Sequence, residues 1–305
     1  MDSFFRSLES SPHLGETLSL ASAFIWAVAV ILFRVSGRKV HPLSLNFFKC
    51  GLASLLFLMT ALFSGQTPWP RLPAKDYAQM ALSGFIGIGL SDTLFFFCLN
   101  LLGASLTAIV DCLYSPFVII FSSIFLGETL RRHQIAGVLL ILVAVGLISR
   151  KGGEAMPRRT QLAAGILSGV LAMLSQAGGI ILMKPLLPRA PLLWAALMRV
   201  GAGAALLGSS LAFHPRGRLL SRPLATLANW PVMVLASFLG AYVGLITWMA
   251  GMKYTLASVA APLNQVHTIF IFVLAAIFLK EKVTGAKFIA LSLAILGATL
   301  VWINL

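Results

Sequence analysis

The chain contains ten apolar stretches, which are separated by short basic or Pro/Gly-rich segments. A helix that crosses the hydrocarbon core of a bilayer needs about 20 apolar residues, which is the length of these stretches. We therefore predict ten transmembrane helices, over Thr17 to Phe33, Leu43 to Phe63, Tyr77 to Leu99, Gly103 to Leu126, His133 to Ser149, Leu162 to Met183, Pro191 to Phe213, Trp230 to Met252, Thr255 to Leu279 and Val283 to Ile303.

The composition excludes a soluble domain. Hydrophobic residues make up 59% of the chain and charged residues 10%, and the mean hydropathy is +0.94. Too few polar side chains remain to cover a surface that faces water. The apolar stretches are continuous and lack the alternation of outer-membrane strands, and helices satisfy their own backbone in lipid. We predict an all-α, multi-pass integral membrane protein of the bacterial inner-membrane type.

The distribution of charge and the absence of known sequence motifs argue against nucleic-acid-binding proteins and several classes of enzyme. The net charge of +14 comes from Lys and Arg between the apolar stretches, where they favour anionic lipid headgroups over nucleic acid. Cys50, Cys98 and Cys112 fall inside predicted spans and are expected to behave as small apolar residues. We find no phosphate-binding loop, zinc-protease motif or nucleophile elbow. We expect no cofactor, no metal and no catalytic residue. The N-terminus lacks the features of a secretory signal.

The two halves of the chain are repeats of one another. Ile-Phe-Leu-x-Glu occurs at 124–128 and again 153 residues later at 277–281. At the same offset, Phe-Ile-Gly at 85–87 matches Phe-Leu-Gly at 238–240. Further upstream the offset is 150, and it pairs Lys49 with Arg199. One half has therefore gained about three residues between its second and third helices.

An odd number of helices in each repeat inverts the second copy relative to the first. We predict a first five-helix repeat over residues 17–149 and a second over 161–303, joined by a basic linker at 150–160 and preceded by an N-terminal segment, 1–16. Inverted repeats of this kind can exchange conformations and open a midplane site to each side in turn. The pattern therefore favours alternating access.

The repeated residues resemble the drug/metabolite transporter superfamily, in particular its ten-helix members with two EamA domains. That resemblance implies a basic residue at the end of helix one, a second early in helix two, and a Glu after helix four followed by two small residues. The matching positions are Arg34, Lys49, Glu128, Gly137 and Ala144 in the first repeat, and Lys184, Arg199, Glu281, Ala290 and Gly297 in the second. The resemblance also implies that the protein transports a small-molecule solute, but it does not identify that solute.

Polar residues at helical spacing lie within the fourth and ninth predicted spans. Spacings of i, i+3 and i+4 place such residues on one helical face. The two stripes, related by the 153-residue offset, are Asp111, Tyr114 and Ser115 in the first repeat and Asn264, His267 and Thr268 in the second. We expect these residues to line a translocation site between the fourth and ninth helices. Interhelical hydrogen bonding is the alternative.

Charged residues inside spans are costly and usually face a partner or a wet cavity. Asp92, Asp111, Lys49 and Arg199 are the candidates. Our hypothesis is that Asp111 binds a cationic group of the solute or carries a coupling proton, and that Arg199 or Lys49 neutralises a solute carboxylate. The alternatives are permanent ion pairs among the four, or snorkelling of the two basic side chains to the interface.

The leading interpretation is a secondary-active exporter of a small metabolite such as an amino acid, because the chain has no nucleotide-binding motif to drive a pump. A membrane-embedded lipid-modifying enzyme that uses Asp92, Asp111 and His267 is the first alternative, and a structural subunit is the second. The excess of Lys and Arg opposite the N-terminal face places both termini outside, whereas the resemblance implies cytoplasmic termini. Monomer and homodimer both remain open.

Overall fold

The computed structural model describes residues 13–65, 69–127, 132–150, 158–226, 230–255, 260 and 263–302. Within these ranges ten apolar helices follow one another in chain order. They are α1 Leu14–Gly37, α2 Pro42–Phe63, α3 Ala74–Leu102, α4 in two pieces (Ala104–Asp111 and Tyr114–Leu126), α5 Arg132–Arg150, α6 Arg159–Met183, α7 Leu192–Phe213, α8 Trp230–Tyr254, α9 His267–Phe278 and α10 Gly285–Trp302.

The outer surface of the helical bundle is apolar, as lipid contact requires. Seven of the described helices are long and apolar enough to cross a bilayer, and shorter apolar helices occupy the remaining three places. Large hydrophobic side chains project outward from them, including Phe24, Ile124 and Phe288. Soluble monomeric proteins rarely expose an apolar surface of this extent to water. The predicted all-α membrane fold is confirmed.

The helices pair across the two repeats in a symmetric way. The first helix of each repeat packs against the third helix of the other, so that α1 lies against α8 and α6 lies against α3. The second helices, α2 and α7, pack against each other, and so do the fifth helices, α5 and α10. Each contact therefore has a mate in the opposite repeat, as two inverted copies of one unit require.

The third helix of each repeat contains a π-helical segment at the same place. In α3 it spans Phe85–Leu90, and in α8 it spans Phe238–Gly244. The starting residues are 153 apart, which is the offset found in the sequence. A π segment widens the helix and leaves backbone groups without their ordinary partners. Because both segments lie near the middle of their helices, the symmetry places two backbone irregularities at the centre of the protein.

Close backbone contacts fix the helices around this centre. Gly179 of α6 lies so close to Gly87 of α3 that a Cβ atom on Gly179 would come within 2.6 Å of the Gly87 Cα atom. In the other repeat, a Cβ atom on Gly240 would come within 2.9 Å of the Ala29 Cβ atom in α1. Small residues at helix crossings allow such approach in membranes, and these glycines serve packing within the chain.

Candidate functional site

A cavity lies between the two repeats. It encloses about 100 Å³, and since one buried water needs about 10–15 Å³, it has room for several waters or a small solute. Among the described side chains, the lining residues come from eight helices, all except α5 and α10. Its lining residues are Ser22, Trp26, Lys49, Ile88, Ser91, Asp92, Phe95, Asp111, Tyr114, Met173, Gln176, Arg199, Val200, Gly240, Ala241, Gly244, Leu245, Trp248, Asn264 and His267. The site is therefore wider than the α4–α9 crevice expected from the sequence.

Two buried basic residues face the cavity from equivalent positions in the two repeats. Lys49 of α2 and Arg199 of α7 are 2% and 0% exposed. Both lie seven residues from the start of their helices, and the helices enter from opposite sides. Their charged groups are enclosed by protein beside the cavity. The snorkelling alternative is therefore wrong for both residues.

Lys49 is neutralised by Asp92. The two side chains form a buried ion pair, and the Lys49 ammonium also lies 5.4 Å from the centre of the Phe96 ring. A buried ammonium needs such a partner because desolvation is costly. The permanent ion pair weighed in the sequence is the arrangement observed for these two residues.

Arg199 has no carboxylate partner within the part of the chain that the structure describes. Its Nη1 atom contacts the Met183 sulfur at 3.0 Å, and its guanidinium group lies 5.6 Å from the Trp248 ring centre. Its Nε and Nη2 atoms are buried without a hydrogen-bond partner. The repeat mate of Asp92 is Leu245, which also lines the cavity. The symmetry is broken at the residue that would neutralise Arg199.

Asp111 and His267 form a hydrogen-bonded pair that joins α4 to α9. The His267 Nε2 atom contacts Asp111 Oδ2, and the Nδ1 atom contacts the backbone carbonyl of Asn264. Both side chains are nearly buried and line the cavity. The Asn264 side chain also lines the cavity and donates to the Ser22 hydroxyl at 2.7 Å. The two stripes thus meet through one direct contact.

Ser115 and Thr268 do not line the cavity. Both are fully buried, and Thr268 lies 3.7 Å from the Cys112 sulfur. The expectation of one continuous helical face from Asp111 to Ser115 is wrong, because α4 is interrupted at residues 112 and 113. Pro116 has no N–H to donate to the carbonyl four residues earlier, which is that of residue 112. Pro262, the proline near the second stripe, lies outside the described residues.

Two neutral polar side chains at the cavity also lack partners. The Tyr114 hydroxyl and the Gln176 Oε1 atom are buried and make no hydrogen bond among the described residues. Tyr114 lies close enough to Arg199 to interact with its charge. Buried polar groups are usually satisfied by protein or water. Together with Arg199, they leave donors and an acceptor beside the cavity without hydrogen-bond partners among the described residues.

Asn46 was missed by the sequence reasoning. Its Nδ2 atom lies 3.1 Å from the carbonyl oxygens of Ile88 and Gly89 and 2.9 Å from the Thr93 hydroxyl. It thereby satisfies carbonyls of the π segment in α3. Its position one turn before Lys49 on the same helical face was the signal that could have identified it.

The repeated residues at helix ends cap helices. The Arg34 Nη1 atom donates to the Asn100 carbonyl at 3.1 Å, and its repeat mate Lys184 donates to the Thr255 carbonyl at 2.8 Å. A cation favours the carbonyl end of a helix. Glu281 accepts from the backbone amide of Ala104, at the start of α4. Glu281 therefore caps α4 of the first repeat, although in the chain it precedes α10. Glu128 lies outside the described residues.

The three residues of the lipid-modifying-enzyme alternative lie together in the structure. Asp92, Asp111 and His267 all line the same cavity. However, Asp92 is paired with Lys49, and both ring nitrogens of His267 are engaged by Asp111 and the Asn264 carbonyl. In the described ranges, no group of three His, Cys, Asp or Glu side chains is placed to hold a metal ion.

Comparison with known proteins identifies the family. Both halves of the chain match the EamA-like transporter family, over residues 13–150 and 163–303. An uncharacterized transporter of Archaeoglobus fulgidus is 22% identical over 88% of this chain and 90% of its own length. One of Haemophilus influenzae is 25% identical over 53% of each chain, so that match spans about half the length of this relative.

A solved crystal structure shares the fold. It has a TM-score of 0.69 and 18% sequence identity, and the match covers 95% of this chain and 96% of that one. The family match extends over most of the sequence and includes both inverted repeats. This chain therefore belongs to the EamA-like transporter family and is a multi-pass membrane transporter.

Proposed function

We propose that the protein is a secondary-active carrier that exports a small metabolite with a carboxylate group, such as an amino acid, by alternating access around the cavity. The observation that carries this proposal is Arg199, a fully buried guanidinium group beside the cavity for which the described residues supply no carboxylate partner. Export as the direction rests on the family resemblance of the sequence.

The chemistry of Arg199 supports an anionic ligand. A guanidinium group presents several N–H donors that match the two oxygens of a carboxylate. Two of its nitrogens are unpaired, and the neighbouring Tyr114 hydroxyl is also unpaired. A bound carboxylate would satisfy all of these groups and compensate the buried charge. Lys49 is less suited to this role, because Asp92 already neutralises it.

The remaining walls favour an amino acid over a simple carboxylic acid. The Gln176 Oε1 atom is an unpaired acceptor, which an ammonium group can use. Trp26 and Trp248 supply aromatic surface on the same cavity, and aromatic faces attract cations. The apolar Met173 and Val200 leave space for a side chain.

The symmetric placement of the two basic residues supports alternating access. Lys49 and Arg199 each lie seven residues after the first residue of their helices, α2 and α7. If the repeats exchange conformations, the cavity that both residues line opens first to one side of the membrane and then to the other. A solute held at Arg199 is then exposed to each side in turn.

Counterflow in proteoliposomes tests the proposal. Purified protein is reconstituted in vesicles loaded with one unlabelled L-amino acid from a panel, and uptake of the labelled form is measured. The same panel contains the matching amines and the matching carboxylic acids without the amino group. We expect counterflow with one or more amino acids, retained in part by the carboxylic acids and lost with the amines.

Arg199→Gln and Arg189→Gln separate the site from general effects. Arg189 forms an ion pair with Asp76 away from the cavity, and its side chain is 57% exposed. We expect Arg199→Gln to abolish counterflow and Arg189→Gln to preserve it. Equal counterflow by wild type and Arg199→Gln, or transport of the amines alone, would contradict the proposal.

A further inference from the structure

We propose that Asp111 and His267 together hold the proton that couples solute movement to a pH gradient, and that this proton closes a bridge between α4 and α9. This inference rests on the proposed carrier function. Its basis is the pair of acceptors that surround the His267 ring, one a backbone carbonyl and the other a carboxylate. In this proposal Asp111 binds the coupling proton, whereas Arg199 and Gln176 bind the solute.

The partners of the imidazole fix the number of protons in the pair. The Asn264 carbonyl can only accept a hydrogen bond, so the Nδ1 atom of His267 must carry a hydrogen. A neutral imidazole has one N–H, which leaves Nε2 with a lone pair. An ionised Asp111 carboxylate would oppose that lone pair with its own. The contact between Nε2 and Oδ2 therefore requires one more proton, carried by either atom, and the pair then has no net charge.

Loss of this proton removes one of the two contacts of the His267 ring, either the bridge to Asp111 between the repeats or the bond to Asn264 within the second repeat. Without it, lone pairs face each other across the Asp111–His267 contact, and the ring must either turn away or give up its bond to Asn264. Asp111 is the last residue of the first piece of α4, and His267 is the first residue of α9. Turns adjoin both, at residues 112–113 and 265–266. Each helix can therefore bend beside the pair, so that the proton controls how α4 and α9 meet.

Several helices place charged or titratable side chains around the Asp111–His267 pair. From α2 and α3, Lys49 and Asp92 face it as a neutralised ion pair, and from α7, Arg199 supplies a fixed positive charge. On α4 and α3, Tyr114, Cys112 and Cys98 lie within electrostatic range of Asp111. The residues that α1 and α6 contribute to the cavity are uncharged. Both members of the pair line the cavity, which gives protons a route to them.

The protonation state can be measured without knowing the solute. Protein labelled with ¹⁵N-histidine is studied by NMR in lipid nanodiscs, with His267→Gln to assign the signal, and infrared difference spectra report a protonated carboxyl at Asp111. At neutral pH we expect either an imidazolium signal from His267 or a protonated Asp111 carboxyl, lost together with the bridge in a single titration. A neutral His267 beside an ionised Asp111 at neutral pH would overturn the proposal.

Asp111→Asn tests the coupling itself. The amide of Asn can donate to Nε2 while Nδ1 still donates to Asn264, so the bridge persists without a titratable proton. Asp76→Asn makes the same chemical change in the ion pair with Arg189, outside the cavity. With an amino acid that gives counterflow in wild-type vesicles, we expect Asp111→Asn to keep counterflow and to lose accumulation driven by a pH gradient. Asp76→Asn should keep both.

The outcomes distinguish the two proposals. Counterflow in wild type and Asp111→Asn together with unchanged gradient-driven accumulation by Asp111→Asn would overturn the proton assignment and leave the carrier intact. Absence of counterflow with every member of the panel in wild type would overturn the carrier function, and the spectroscopic result would then decide the proton assignment alone.

Discussion

Glu281 of the second repeat caps the helix that begins at Ala104 in the first repeat. Its carboxylate accepts a hydrogen bond of 2.8 Å from the Ala104 amide and one of 3.0 Å from the Ser105 amide. Gly103 makes this possible, because its φ is +84° and a Cβ atom there would come within 2.8 Å of Glu281 Oε1. The acidic residue that ends the repeated Ile-Phe-Leu-x-Glu sequence therefore links the two halves.

Removal of this cap should destabilise the protein. Glu281→Ala leaves two amides at the start of α4 without acceptors, so we expect a loss of about 1–2 kcal/mol, the usual range for a helix cap. Thermal unfolding in detergent measures it. Glu16→Ala is the control, because the one ion pair of Glu16 among the described residues is a 3.9 Å contact with the exposed His13, and such surface pairs contribute little. Equal losses in the two variants would show that the cap is unimportant.

The contact between Gly179 and Gly87 predicts a contrast between two Gly→Ala substitutions. A methyl group on Gly179 would lie 2.6 Å from the Gly87 Cα atom, and backbone must move to admit it. We expect Gly179→Ala to destabilise the protein by about 1–3 kcal/mol, the range for overpacking. Nothing lies within 4 Å of a methyl group on Gly201, so Gly201→Ala should be neutral or stabilising by up to about 1 kcal/mol. Similar melting temperatures for the two variants would contradict the close contact.

Leu245→Asp should give the second repeat the carboxylate that Asp92 supplies in the first. We expect this carboxylate to prevent Arg199 from binding the solute. Leu245 occupies in α8 the position that Asp92 occupies in α3, and Asp92 neutralises Lys49. A carboxylate at 245 is therefore expected to pair with Arg199 and to exclude the solute carboxylate. We predict that the apparent affinity in counterflow falls by at least about tenfold, equivalent to the loss of one charged hydrogen bond. Leu245→Asn, which has similar size and no charge, should have a smaller effect, and equal effects would contradict this assignment.

His41 should make the start of α2 sensitive to pH. Its Nδ1 atom accepts from the Leu43 amide at 3.3 Å, and partial burial followed by the charge of His214 lowers the pKa of His41. The folded protein therefore binds fewer protons at this site than the unfolded chain. The contribution to stability is complete above about pH 6.5, the ordinary histidine pKa, and declines as pH falls below it. Hydrogen exchange at the first amides of α2 should accelerate on acidification.

His41→Asn is the matched variant for this prediction. Asn is a good helix cap and does not titrate, so exchange at the start of α2 should lose the pH dependence that remains after correction for intrinsic exchange. If the wild type and His41→Asn respond identically to acidification, another group is responsible.

The helices could be predicted from the sequence because a membrane-spanning helix requires only a long apolar stretch. The repeat offset then identified which residues of the two repeats occupy equivalent positions. The interruption of α4 follows from Pro116, but the sequence did not reveal that it would turn Ser115 away from the cavity. The partners of Lys49 and Arg199 depend on how α2, α3, α7 and α8 meet, which is a property of packing between distant segments. The breadth of the cavity and the cap made by Glu281 also depend on packing between distant segments, so the sequence did not predict them.

Side-specific labelling of the cavity tests the alternating-access account most directly. Val200→Cys is introduced into protein whose Cys50, Cys98 and Cys112 are replaced by Ala, and a membrane-impermeant thiol reagent is applied from either side of oriented vesicles. The account predicts reaction from both sides, suppressed in both cases by an amino acid that supports counterflow. Reaction from one side alone under all conditions, or no protection by that amino acid, would contradict it.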